Sequence, residues 1–258
     1  MIDLYAYSLL SIFVAGLAAV LATSELGWQL GVRAGGRGRG NISALESGLL
    51  GLMALIIGFT FAMALTRFET RREAIVNEAN AIGTTALRAR LLPQPYRTET
   101  LKLLREYVQI RLDVVQSGKS LAELAPAIDR SNAIQEALWL HTKEVAAKDD
   151  RYVPTGLFIQ SLNEMIDNQG KRLAALRNRI PSVVLLALFG IAAITCGFAG
   201  YASSLEAKRT RLPIYIIGML VSSVIYLILD IDRPSAGLVT NNHQAMIDTA
   251  ASIASYSE

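Results

Sequence analysis

Residues 44–72 read ALESGLLGLMALIIGFTFAMALTRFETRR. From Ala44 to Thr66 the only charge is Glu46, at the mouth of the run; Arg67, Arg71 and Arg72 then arrive almost together. An apolar run of this length crosses a hydrocarbon core of ~30 Å when coiled at ~1.5 Å per residue. Inside a bilayer the backbone must bond to itself, so the run is a helix. From Arg67 onward Gly83 is the lone weak point before Leu92-Pro93-Gln94-Pro95. The helix is therefore expected to leave the membrane as one long rod and to stop at those prolines.

Three other runs share this character: Leu4–Thr23, Pro181–Leu205 and Leu212–Leu229. Each holds roughly 18–25 residues, the length a membrane crossing requires. Pro181 and Pro213 suit first helical turns, where a missing N–H costs nothing. The chain is 52% apolar and only 18% charged, against ~45–50% and ~25% for soluble domains. Its charges are also segregated. Most of the 25 Lys and Arg, and most of the 22 acids, lie between Arg67 and Arg179. These features predict an all-α membrane protein, with four transmembrane helices and a helical extramembrane domain between helices 2 and 3. The expected parts are 1–66 (with a Gly/Arg-rich loop at 24–43), the helical domain 67–180, the second helix pair 181–230 and a tail 231–258.

The middle reads as helices throughout. Leu101, Leu104, Val108, Leu112 and Val115 form an amphipathic stripe that Gly118 ends. A stretch over 121–145 carries Leu124, Ile128, Ile134 and Leu138; another, from about Thr155 to Arg179, carries Leu162, Ile166, Leu173 and Leu176. Glu73, Asn77, Glu78 and Asn80, on the rod beyond segment two, read as a polar face that binds the chain's own middle domain.

No catalytic constellation is present. The two histidines, His141 and His243, lack metal-ligand spacing. The run Gly35-Gly36-Arg37-Gly38-Arg39-Gly40 lacks the Gly-Lys-Ser/Thr ending of a phosphate cradle. The single cysteine, Cys196, sits among small apolar residues and reads as packing. No enzyme activity, cofactor or metal is expected. The net charge of +3 is small and lies largely beside the apolar runs, which argues against nucleic acid. Thr60, Thr66, Ser222 and Ser223 are costly in lipid unless their hydroxyls bond back to a helix, which is the reading preferred over a pathway. Gly48, Gly51 and Gly58 suit close helix packing. Asp230-Ile231-Asp232-Arg233-Pro234 reads first as a structural stop, with Arg233 pairing an acid, and second as a cation or gate site.

Beyond these spans, certain residues carry a resemblance. Gly58-Phe59, six residues, then Thr66-Arg67-Phe68 with Arg71 and Arg72 resembles the second transmembrane helix of bestrophin anion channels. The stretch from Arg67 through Asn77-Glu78-Ala79-Asn80 to Leu92-Pro93, together with Asp230-Ile231-Asp232-Arg233-Pro234-Ser235-Ala236-Gly237, resembles more closely a bacterial bestrophin-like membrane family of unassigned function. The resemblance implies a homo-oligomer, a pentamer, around a central pore lined by the second helix. It places the neck at Phe59, Leu55 and Gly51, with Thr66 below. These lie at i, i+4 and i+8, one stripe of a helix. Gly51 stands where the family has a bulky residue, which bears on the length of that neck. Arg67, Arg71 and Arg72 become pore-exit charges. The acidic calcium clasp of animal bestrophins is absent after Pro234.

Orientation is drawn two ways. The short loops at 24–43 and 206–211 hold three Lys or Arg each, which by the positive-inside rule puts the middle domain outside the cytoplasm. Arg67, Arg71, Arg72, Lys171, Arg172, Arg177 and Arg179 flank the spans on the domain side and oppose that. The resemblance implies a cytoplasmic domain in a bacterial inner membrane, and that orientation is adopted. Two functions follow as expectations. One is an oligomeric channel passing small anions, with lipid, further copies of the chain and small ions as its partners. The other is a non-conducting membrane sensor or scaffold whose helical domain binds a ligand or partner.

Overall fold

A computed structural model describes residues 4–34, 42–119, 121–148, 152–205, 211–234, 237–239 and 242–256. After a short 3-10 turn at Leu4–Ala6, the described residues form α-helices α1 (Leu9–Arg33), α2 (Ile42–Ala89), α3 (Tyr96–Gln116), α4 (Ala125–Lys148), α5 (Tyr152–Arg177), α6 (Ser182–Ser204), α7 (Leu212–Asp232) and α8 (Gln244–Ala254), with no strand among them. Among the described residues, four helices are long and apolar enough to cross a membrane. The chain divides into two compact units. One is Met1–Thr66, Arg179–Arg233 and Gly237–Val239; the other is Arg67–Asn178, Pro234–Ala236 and Thr240–Glu258.

In the first unit, α1 packs along α6 and also against α7. Small residues set the spacing. A Cβ added at Gly27 would fall 1.8 Å from the Gly197 carbonyl oxygen, and one at Gly200 would fall 2.1 Å from the Ser24 carbonyl oxygen. Without a hydrophobic drive between helices in lipid, such close backbone approach supplies the packing. This contact also corrects the expected loop at 24–43. Helix α1 continues to Arg33, because Gly27 and Gly31 are held against α6 by tertiary packing that overrides their poor helix propensity. Residues 35–41, with the Gly/Arg run, lie outside the described residues. At the far end of α1, Glu25 accepts a hydrogen bond from the Tyr215 hydroxyl at 2.9 Å, and the Arg211 guanidinium lies 3.8 Å from the centre of the Trp28 ring.

The span hydroxyls behave largely as expected. Thr60 donates to the Ile56 carbonyl at 2.8 Å, Thr66 to Ala62 at 2.9 Å and Ser223 to Met219 at 2.8 Å. Ser222 differs: its oxygen is buried and finds no partner among the described residues.

In the second unit, the later part of α2 joins α3, α4, α5 and α8 around one core. Ala79, Ile82, Ala86 and Ala89 of α2 are buried in it with Leu101, Leu104, Tyr107, Leu138, Phe158, Leu162 and Met165. The stripe read on α3 is there, although Leu112 is only partly buried and Tyr107 and Arg111 share the buried face. Gly118, at φ 59°, takes the left-handed conformation that terminates the chain segment after α3. Helix α8 was not anticipated in the tail. It contributes Met246 and Ile253 to the core, residues seven apart and hence on one helical face.

Candidate functional site

Helix α2 is continuous from Ile42 to Ala89, as expected from the lack of breakers. In its first unit it shows two faces. Met53, Thr60 and Ala64, at helical spacing, are buried. The opposite face holds the candidate neck residues. Leu55 is 54% exposed and Phe59 66% exposed, with Leu52 and Met63 exposed beside them. Gly51 and Thr66 lie on the same exposed side. Among the described residues, nothing approaches within 4 Å of a Cβ built at Gly48, Gly51 or Gly58. Within one chain, then, these glycines do not serve as a packing seam of the kind formed by Gly27, Gly197 and Gly200. The exposed stripe continues through Thr70, Glu73, Asn77 and Asn80. An apolar stripe running into hydroxyls, an acid and amides is a surface that water wets at one end and is excluded from at the other.

The three arginines separate. Arg72 is exposed and lies 3.5 Å from Glu69. Arg67 is half-buried, its Nε 3.4 Å from the Asn178 side-chain oxygen. Arg71 is 2% exposed, so it faces inward, away from the stripe. The sequence placed all three at one exit; the helix turns one of them into its own unit.

The closing motif is a staple. Asp230, fully buried, accepts backbone N–H bonds from Leu238 at 2.9 Å and Val239 at 3.1 Å. A Cβ at Gly237 would meet the Asp230 carboxylate at 2.7 Å, so any larger residue there must displace that side chain. Asp232 accepts from the backbone N–H of Ile180 at 2.9 Å and from the Tyr5 hydroxyl. Arg233 donates to the Tyr7 carbonyl at 2.5 Å, and Arg179 stacks on the Tyr5 ring at 4.9 Å. The two carboxylates bond to the N-terminal segment, the entry to α6 and the Gly237–Val239 segment. These are contacts of the kind a structural stop would make.

Of the polar face read at Glu73, Asn77, Glu78 and Asn80, only Glu78 is buried. It binds the middle domain through two guanidinium groups. Arg111 Nε lies 2.6 Å from one carboxylate oxygen, and Arg172 donates to the other. Beside them Gln135 donates to the Tyr107 hydroxyl at 3.0 Å and to Gln169, which in turn donates to Asn132 at 3.2 Å. Burial and the negative Glu78 both push the Tyr107 phenol well above its ordinary range. Burial, only partly countered by Glu78, lowers the Arg172 guanidinium. His243, at the start of α8, is lowered by burial and by the nearby Arg172 charge. Sequence reading missed Arg111. Its signal was a charge at the seventh position from Leu104, inside an apolar stripe. His141 is half-buried, its Nδ1 3.8 Å from Glu99, Cys196 is buried in α6, and no group of metal-ligating side chains occurs among the described residues.

A family model described as Bestrophin-like domain matches residues 47–241. No curated protein matches the chain in sequence. Among solved structures, a variant of a bacterial bestrophin homologue from Klebsiella pneumoniae is 16% identical, with 96% of each chain covered and a TM-score of 0.69. A second structure of that homologue, phased with zinc, is 14% identical over 95% of this chain and 96% of that one, with a TM-score of 0.66. At such identities the likeness carries the fold alone.

Proposed function

We propose, on the premise that this chain belongs to the Bestrophin-like family, that copies of it assemble into an ion channel whose central pore is lined by α2. The observation that carries the reading is the exposed face of α2. Phe59 and Leu55, in the apolar part of a membrane-crossing helix, are large side chains without partners to cover them in their own chain. Lipid could cover them, but lipid gives no reason for the face to become polar and continue through Thr66, Thr70, Glu73 and Asn77 along the same helix. A ring of such helices would place Phe59 and Leu55 in an apolar constriction, and such constrictions gate by dewetting. Gly51 would leave that neck wider at its outer end.

Small anions are the proposed cargo, attracted by positive potential at the domain end of the pore. Arg72 and half-buried Arg67 would supply it directly, while inward-facing Arg71 contributes only at a distance. The proposed assembly is a pentamer, in a bacterial inner membrane, with the helical domain in the cytoplasm. Asp230, Asp232, Arg233 and Pro234 act as a brace for the pore-forming unit rather than as a gate.

Purified protein reconstituted into liposomes tests this with an anion-sensitive dye. Chloride flux is expected, raised by Phe59→Ala and lowered or shifted toward cations by Arg72→Glu. Absence of flux in all three proteins, with insertion verified, overturns the channel reading. That result would favour a second reading, a sensor or scaffold, which rests on the unbroken run of α2 from Ile42 to Ala89.

A further inference from the structure

The buried cluster on Glu78 is not balanced. Two guanidinium groups, Arg111 and Arg172, face one carboxylate. Guanidinium groups remain charged in proteins, so one positive charge is left over in a place without solvent. Hydrogen bonding is incomplete as well. Arg111 is fully buried, and both of its terminal nitrogens lack partners among the described residues, as do Arg172 Nε and His243 Nδ1. Neighbouring Tyr107 cannot help, because its hydroxyl is engaged with Gln135 and its phenol is held neutral. A charge buried without a counter-charge is strongly unfavourable, and breaking or omitting a partner leaves the whole desolvation cost uncompensated. Water could satisfy the free N–H groups, but it would leave the charge unneutralised.

We propose that Arg111 and Arg172 hold one small monovalent anion, a halide or a planar oxyanion such as formate, in the core of the helical unit. The two terminal nitrogens of Arg111 form the parallel fork that suits such a ligand. Its Nε is committed to Glu78, so Glu78 orients the fork and the anion completes the charge balance. Full burial of Arg111 restricts the occupant to a few atoms. The site lies in the Arg67–Asn178 unit and uses none of the exposed α2 stripe, so it does not depend on conduction.

Thermal unfolding of the full chain in detergent tests this, with sodium and ionic strength fixed and chloride, bromide or formate exchanged for gluconate. The wild-type protein is expected to show a saturable rise in Tm of roughly 2–8 °C with one or more small anions. Arg111→Gln should flatten the response, because Glu78 and Arg172 then balance. Glu78→Gln should lower Tm in gluconate yet enlarge the anion response, because two positive charges now lack a counter-charge. Phe59→Ala should retain the wild-type response. A flat wild-type curve overturns the proposal, as does a response that survives Arg111→Gln, one no larger in Glu78→Gln, or one lost in Phe59→Ala. If Arg111→Gln does not fold, Glu78→Gln and crystals grown in bromide decide. An anomalous peak beside Arg111, or density for the anion there in crystals grown in whichever anion raised the wild-type Tm, supports the site, and the absence of both refutes it.

Discussion

The two ends of α2 are made of the same helix and put their surfaces to opposite use. Beyond Arg67, its buried face is Ala74, Ile75, Glu78, Ala79, Ile82 and Ala86, mostly small groups that let α3, α5 and α8 close around it. Before Arg67, the large side chains Phe59 and Leu55 are exposed, and a Cβ at the glycines beside them would meet nothing within 4 Å among the described residues. In water such exposure would be an error or an interface. In a membrane it is tolerated on every face, so the pattern to weigh is the continuation of one exposed stripe into polar residues. One end of the helix is completed by its own chain; the other awaits lipid or further copies.

The strongest way to break this contrast is at Glu78. Glu78→Leu leaves two buried guanidinium groups without a carboxylate and is expected to cost about 3–5 kcal/mol, read as a large drop in Tm in detergent. A small loss would mean that this part of α2 is not the closed core described above. Next in size is a matched pair of truncations. Ile82→Ala, in the domain core, should cost about 2–5 kcal/mol. Phe59→Ala should leave Tm near the wild-type value while altering flux. Equal losses would show that Phe59 is packed within the folded assembly as a core residue is. Glycines give a third pair. Gly27→Ala drives a methyl into the Gly197 carbonyl and should cost about 1–3 kcal/mol, whereas Gly51→Ala meets nothing among the described residues. Destabilisation or altered subunit number in Gly51→Ala would locate a neighbouring copy at that glycine.

The membrane half of the fold was legible because lipid imposes a simple rule: run length and charge segregation mark the spans, and Pro213 and Arg67 mark their borders. The end of α1 was not, since Gly27 and Gly31 read as linker when only local propensity is counted; their role appears once Gly197 and Gly200 are opposite them. The closing motif could be read as a stop, but the partners of Asp230 and Asp232 are distant backbone amides that no spacing encodes. Helix α8 escaped because its apolar face is only Met246, Ala250 and Ile253, too short a pattern to stand out in a polar tail. On α2, the stripe Gly51, Leu55, Phe59 and Thr66 shares the exposed side, while the assignment of Arg71 to the same exit overlooked that it falls seven residues before Glu78 and therefore on the buried face.

The smallest expected effect is a pH response confined to the domain end. The folded structure lowers His243 below its ordinary value of 6.5, through burial and the charge of Arg172. Between that lowered value and 6.5 the unfolded chain binds more protons at this site than the folded one. Stability from this group is therefore fully present above about pH 6.5 and falls as pH drops toward the folded value, then levels off. Other groups titrate too, so the useful quantity is the difference in Tm between wild type and His243→Gln, followed from pH 7.5 down to 5. That difference should shift in favour of the variant on acidification. Phe59→Ala, at the other end of α2, should show the wild-type profile unchanged. Parallel curves for wild type and His243→Gln would mean that His243 does not feel Arg172 in the folded protein, and the positive cluster would then end at the two arginines.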